Sequence, residues 1–344
     1  MKYISFGVPS YNSEAYLRNC VDSLLVGGED VEIIIINDGS KDKTLDICKE
    51  YAAKYPTIVK YVDQENSGHG EGVNQGLAHA TGLYYKVVDS DDHLYKDGYL
   101  ELLETIKIHY RDDISPDLYL CNFVYDHVLD NTQFVSTYSK YMKPNSFNTW
   151  KNIKHMHFSK MILMHSLVYK TETLIKSCTI LPKHCFYVDN YFSYKPLIYC
   201  KSIFYLDVNL YSYFIGRSDQ SINKANFVKR YDQQLKVVNL MIDSIKYDDL
   251  VKLDKGLKYY LKHALNVINI VTVAFCTIGD GDLKKQWKVV NDYFASIKKR
   301  DPHMYRFLKF RSYYFFVLLV PFKSLKKKLI NAFYDFECRK TKVG

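Results

Sequence analysis

The sequence predicts an α/β protein: a mostly parallel, Rossmann-like sheet flanked by helices, with a helical C-terminal extension. Three observations carry that expectation. The first hundred residues alternate short apolar runs with helical patterns. One run holds four consecutive isoleucines, Ile33 to Ile36, and from about residue 226 apolar side chains recur at helical spacing. Strand–helix alternation implies parallel strands joined by right-handed crossovers, and a β-branched run without polar alternation marks a strand covered on both faces.

Taken in order, residues 3–9 read as a first strand and 13–25 as a helix, with Leu17, Val21, Leu24 and Leu25 on one stripe. Residues 31–36 are the second strand, 43–55 a helix, 58–62 a third strand, 72–80 a helix and 84–88 a fourth strand. Lys86 interrupts that last strand with a charge and is expected to be exposed or to snorkel. Further on, 101–110 look helical, 118–128 strand-like and 203–215 extended. The polar, aromatic stretch 130–160 suits a variable segment that binds an acceptor or covers a site. A boundary near 225 separates residues 1–225 from a helical region, 226–344, which ends in a basic tail, 298–344.

Bulk composition excludes several classes. With 47% hydrophobic and 25% charged residues, the 344-residue chain is an ordinary globular protein and not a disordered one. It contains no apolar run of the ~18 residues that a spanning helix needs, and no basic-then-apolar leader at its N-terminus. The cysteines are scattered without a C-x-x-C pair, which reads as reduced, buried thiols in a cytosolic protein and argues against zinc. Lys and Arg number 47 against 38 Asp and Glu, a formal +9. Residues 298–344 hold 13 basic and 3 acidic side chains, so the tail carries +10 and the rest sums to −1. Within the tail, basic clusters flank an apolar, aromatic centre at 313–320. That pattern suits a helix lying on an anionic membrane surface, and equally a C-terminal helix packed on the protein. No recognition motif accompanies the charge, so nucleic acid is not an expected partner.

The chemistry is written at the strand ends. The first strand runs into Pro9-Ser10-Tyr11-Asn12, the second into Asn37-Asp38-Gly39-Ser40, and the fourth into Asp89-Ser90-Asp91-Asp92. In open parallel sheets ligands bind outside the carboxyl ends of the strands, where these polar clusters converge. Singly, Asn12, Ser13, Ser40 and Asp42 also suit helix N-caps. Carboxylates one residue apart at a strand end can share Mg²⁺ or Mn²⁺, whose remaining ligands are water and phosphate oxygens.

Val8-Pro9-Ser10-Tyr11-Asn12, Ile36-Asn37-Asp38-Gly39-Ser40-Lys41-Asp42, Asn66-Ser67-Gly68-His69-Gly70 and Val88-Asp89-Ser90-Asp91-Asp92 occur in an order and spacing that resembles the family-2 glycosyltransferases. The likeness covers roughly residues 3–100, and more weakly reaches 225. It implies a GT-A fold over residues 1–225 and inverting transfer from a nucleotide-diphosphate sugar. In that likeness Pro9 and Tyr11 flank the base, with Asn12 beside them. Asp38 accepts from a uracil N–H, which favours a UDP-sugar, and Asn66 and Gly70 lie near the nucleotide. Asp89 and Ser90 contact the ribose or metal region, and Asp91, with Asp89, holds Mn²⁺ or Mg²⁺. Asp189 matches the base position, although Val188 stands where a Glu commonly precedes it; helix capping is the alternative role there. Arg217 is placed to hold the departing diphosphate. His165 suits sugar or acceptor contact and core packing equally.

The Gln-x-x-Arg-Trp signature of processive members is missing around Trp150 and Trp287, which favours transfer of one sugar per encounter. The resemblance thus implies a non-processive hexosyltransferase acting on a cell-surface glycan or lipid-linked acceptor, as in polysaccharide or cell-wall synthesis. Its expected place is the cytoplasm, peripheral on the inner face of the membrane. Two rival readings are a sugar nucleotidyltransferase and a non-catalytic membrane-peripheral binding protein.

Overall fold

The computed structural model describes residues 1–127, 131–215, 229–277, 282–311 and 328. Its chain divides into two compact units, one of residues 1–154 and 162–215, the other of residues 155–161 and 216–344.

The first unit is built on strands β1 (Ile4–Ser10), β2 (Val31–Asp38), β3 (Val59–Gln64) and β4 (Tyr84–Val87), all parallel. They alternate with α1 (Leu17–Leu25), α2 (Thr44–Lys54) and α3 (His69–Ala78). Every residue of β2 is buried, as the isoleucine run requires. Ile33 and Ile35 join a core with Leu17, Val21 and Leu24 of α1 and Ile47 of α2, while Ile36 abuts Gly76 of α3 on the opposite face. The helix of 13–25 begins late, at Leu17: residues 14–16 form a turn, and the backbone N–H groups of Ser13 and Glu14 donate across to Thr44 and Asp42. Conversely, α3 starts early, at His69, and so brings the glycine-rich loop to the sheet's carboxyl edge.

After β5 (His93–Leu94) and α4 (Lys96–Arg111), the chain adds β6 (Leu118–His127), β7 (Thr132–Ser136), β8 (Ser146–Thr149), β9 (Leu167–Lys170) and β10 (Ser202–Ile215). Two short helices, α5 (Thr171–Ser177) and α6 (Val188–Tyr194), separate the last two strands. Among the described residues the strands form one ten-stranded sheet, ordered β3-β2-β1-β4-β9-β6-β10-β5, with β7 on β6 and β8 on β10. β9 is antiparallel to both neighbours and joins the parallel N-terminal half to the parallel pair β6–β10.

The second unit is helical, with α7 (Tyr231–Asp243), α8 (Tyr247–Leu250), α9 (Lys255–Thr277), α10 (Leu283–Arg300) and α11 (Pro302–Arg311). Asp282 caps α10 by accepting from the Lys284 N–H at 2.8 Å. Residues 298–311 of the basic tail end one packed helix and form the next: Ile297, Met304 and Leu308 are wholly buried. The apolar centre at 313–320 lies outside the described residues. Among these residues no helix is long and apolar enough to cross a membrane. Six described cysteines are buried, Cys178 is exposed, and all seven are free thiols.

Candidate functional site

The loops after β1, β2 and β4 meet because they hydrogen-bond to one another. Asn12, in the left-handed region at φ 48°, donates its N–H to Ser40 Oγ at 3.0 Å and accepts from the Lys41 N–H at 2.8 Å. Ser13 and Ser90 share a hydroxyl contact of 2.7 Å that joins the β1 and β4 loops. Pro9 is buried where β1 meets Gly72 of α3, and Tyr11 stands beyond it with 49% of its surface exposed.

Asp38 is nearly buried, at 4% exposure. Its Oδ1 accepts from Gln64 Nε2 and the Ser67 N–H, both at 2.7 Å, and its Oδ2 from the Gly68 N–H at 2.8 Å. One carboxylate therefore folds the whole β3–α3 loop against the end of β2. Asn66 reinforces it, donating to the Asp38 carbonyl at 3.0 Å. Gly68 has φ 85°, and a Cβ there would lie 2.9 Å from the His184 nitrogen. Only glycine meets both demands. At Gly70 the space of a side chain is taken by the Pro182 carbonyl oxygen, 2.7 Å from an added Cβ. The segment 181–184 thus docks on this loop, helped by Asn74, whose amide exchanges two 2.9 Å bonds with Leu181.

At the end of β4, Asp89 Oδ1 accepts from His69 Nε2 at 2.8 Å. Burial disfavours the His69 imidazolium, but the Asp89 charge and hydrogen bond outweigh it and raise the histidine above its ordinary value, with Asp189 and Asp91 adding to the effect. Burial likewise pushes Asp89 upward, yet His69 holds it below the usual carboxylate range. Asp92 is buried: its Oδ2 accepts from the Tyr211 hydroxyl at 2.5 Å and its Oδ1 from the Phe214 N–H at 2.8 Å. Desolvation, then the charges of Asp91 and Asp89, drive it well above the carboxylate range.

Asp89, Asp92 and His165 each present a ligand atom within 4.8 Å of the others. His165 is buried between Tyr211 and Tyr213, at ring-centroid distances of 4.8 and 4.2 Å. Burial lowers it to about 4, and its Nδ1 has no hydrogen-bond partner. A buried Asp92 whose ionisation is opposed by burial and by the charges of Asp91 and Asp89, beside the Asp89 carboxylate and an orphaned imidazole nitrogen, fits a divalent cation. Asp91 is half-buried and stands outside this trio.

Asp189 lies in the first turn of α6, after left-handed Tyr187 at φ 65°, which holds the cap position itself. Its carboxylate accepts the backbone N–H of Asn190 in that first turn, which favours the ionised form. Desolvation first, then Asp89, raise it above its ordinary value, while His69 pulls the other way. Asp189, His69 and Asp89 are thus electrostatic neighbours. Arg217 falls outside the described residues.

Lys86 corrects an expectation. It is wholly buried, not exposed or snorkelling. Its Nζ donates to the His165 carbonyl at 2.7 Å and to the Leu167 carbonyl at 3.4 Å, and lies 4.8 Å from the Tyr211 ring centre. Burial pushes the ammonium down to about 7, against the pull of Asp89 and Asp92. Sequence reasoning also passed over His69, Asp92 and Tyr211 as site residues. His69 and Asp92 sat inside the quoted motifs; Tyr211 carried no signal.

Residues 5–171 match the model of glycosyl transferase family 2. The chain carries a family-2 glycosyltransferase domain. It is 30% identical over 220 residues to the glycosyltransferase GlyA of Streptococcus pneumoniae, covering 62% of this chain and 31% of GlyA. To the putative glycosyltransferase EpsH of Bacillus subtilis it is 29% identical over 245 residues, covering 67% of this chain and 64% of EpsH. The chain thus spans less than two thirds of either relative. Among solved structures, S. aureus TarS 1–349 in complex with UDP-GlcNAc aligns over 99% of this chain and 92% of its own, with TM-score 0.65 and 21% identity. The shared architecture is the GT-A fold, with its curled, mostly parallel sheet and a helical C-terminal part.

Proposed function

We propose that the protein is a metal-dependent, inverting, non-processive glycosyltransferase that moves a sugar from a UDP-sugar to a cell-surface glycan or lipid-linked acceptor. The observation that carries this reading is the charge arrangement at the sheet's carboxyl edge. There a half-buried carboxylate with a raised pKa, Asp189, neighbours the His69–Asp89 pair and the Asp89–Asp92–His165 trio.

Asp189 takes the proton of the acceptor hydroxyl as that oxygen bonds to the anomeric carbon. The bond from that carbon to the diphosphate oxygen breaks, its electron pair leaves with UDP, and the configuration inverts. Burial suits Asp189 to the role, because a carboxylate with a raised pKa is a stronger base. Asp89, Asp92 and His165 would hold the cation, with Asp91 beside them; a carboxylate–imidazole set suits Mn²⁺ better than Mg²⁺. When bound, such a cation stabilises the negative charge of the leaving diphosphate. Arg217 is assigned to the same diphosphate.

Tyr11 offers its exposed face to the base. Asp38 Oδ2 keeps one lone pair for a uracil N–H, and TarS, which shares the fold, is known with UDP-GlcNAc bound. Pro9, Asn12, Asn66, Gly70 and Ser90 shape the loops around that nucleotide. At the cell level we place the enzyme at the inner membrane face, held there by the tail beyond residue 311.

A panel of UDP-sugars with and without Mn²⁺ tests the proposal, read by thermal shift and by UDP release. Metal-enhanced stabilisation and UDP release on adding acceptor are expected. Pyrophosphate formed from UTP and a sugar phosphate would replace the reading with a nucleotidyltransferase. Loss of all UDP affinity would leave a non-catalytic binding protein.

A further inference from the structure

A fully buried lysine is rare unless its charge is met. Lys86 is met in a particular way. Its ammonium holds the backbone carbonyls of His165 and Leu167, so it fixes the short turn that aims the His165 ring. It also lies against the face of Tyr211. The hydroxyl of that same tyrosine donates to Asp92 Oδ2 at 2.5 Å and accepts the Asp89 N–H at 3.2 Å. One side chain beneath the sheet's edge therefore touches the supports of all three members of the candidate cation group. It does so without joining the group, since its Nζ is turned to the two backbone carbonyls.

We infer that Lys86, acting with Tyr211, is the positioning residue that assembles Asp89, Asp92 and His165 for a divalent cation. The inference rests on the metal-dependent reading above. Lys86 makes no contact with the sugar or nucleotide in this role. Its removal should loosen the cation's ligands while leaving the loops around Asp38 and Asn66 intact, because those are held by a separate set of hydrogen bonds. Loss of a side chain that holds metal ligands in place changes metal affinity ~10–100-fold.

Calorimetric titration of UDP, once with Mn²⁺ and once with EDTA, tests the assignment on wild type, Lys86→Met and Tyr211→Phe. Wild type should bind UDP more tightly with Mn²⁺. Lys86→Met should keep the EDTA affinity, which shows an intact nucleotide site, and lose at least ~10-fold of the Mn²⁺ enhancement. Lys86→Arg, which keeps donors to the two carbonyls, should recover part of it. A Lys86→Met protein with the full enhancement overturns the inference. If Lys86→Met loses UDP binding in EDTA as well, Tyr211→Phe decides: an undiminished Mn²⁺ enhancement there also overturns it. No enhancement in wild type refutes the metal-dependent reading itself, and the inference falls with it.

Discussion

Replacing Asp38 by Asn removes one acceptor from a carboxylate that closes the β3–α3 loop. Three hydrogen bonds converge on it, at 2.7, 2.7 and 2.8 Å. In the asparagine variant Oδ1 still serves Gln64 and Ser67, but the new amide turns a donor toward the Gly68 N–H. A hydrogen bond to a charged group contributes about 1.5–3 kcal/mol, and that one is lost. The two survivors fall from charge-assisted to neutral strength, a further ~1 kcal/mol in all. The expected destabilisation is therefore about 3 kcal/mol, or roughly 6–12 °C in melting temperature for a unit of this size. Thermal melting followed by circular dichroism measures it. Uridine nucleotide affinity should fall with it, since Ser67 and Gly68 lose their register. A variant melting within about 1 °C of wild type would refute the claim that this carboxylate folds the loop.

Asp189→Asn should retain UDP affinity and lose transfer by ~10²–10⁴-fold, the usual contribution of a positioned base; unchanged turnover would remove the residue from that role. In the wild type, transfer should fall as pH drops through a value above the ordinary carboxylate pKa, because Asp189 must be ionised to accept a proton and its pKa is raised. The His69–Asp89 pair links stability to pH. A raised histidine stabilises fully below about pH 6.5 and a lowered aspartate fully above about pH 4, so the contribution peaks between them. His69 is 37% exposed, which limits the effect to ~0.5 kcal/mol; His69→Asn should lag wild type at pH 5.5 and draw level as pH rises through the histidine's raised value, whereas a gap that widens would contradict the pairing. Truncation after residue 311 should abolish salt-sensitive association with anionic liposomes and spare UDP binding, whereas truncation at 298 also strips buried Met304 and Leu308 and should lower the melting temperature.

Features with a local signature were legible in the sequence. Ile33 to Ile36 announced a strand buried on both faces, and the clusters after residues 8, 36 and 88 announced where the sheet's carboxyl edge would be. The supports of that edge were not legible, because their partners lie far along the chain. Lys86 between Tyr85 and Val87 reads as an exposed charge until the carbonyls of His165 and Leu167, 79 and 81 residues later, are brought beneath it. Asp92 looks no different from its acidic neighbours until Tyr211, 119 residues away, closes over it. Helix starts slipped for a related reason: the turn before Leu17 is tied by Ser13 and Glu14 to Thr44 and Asp42, 31 and 28 residues further on.

The antiparallel insertion of β9 has a consequence for synthesis. By the time residue 90 leaves the ribosome, β1 to β4 can assemble through local crossovers, but β4 has no outer partner. That partner, β9, begins about 80 residues later. At 5–20 residues per second the wait is roughly 4–16 s, during which the β4 edge is an open template for another chain. Lys86 is the one charged residue on that edge, and charge on an unpaired strand discourages misjoining. The lysine would then guard the nascent sheet before it is entombed in the finished one.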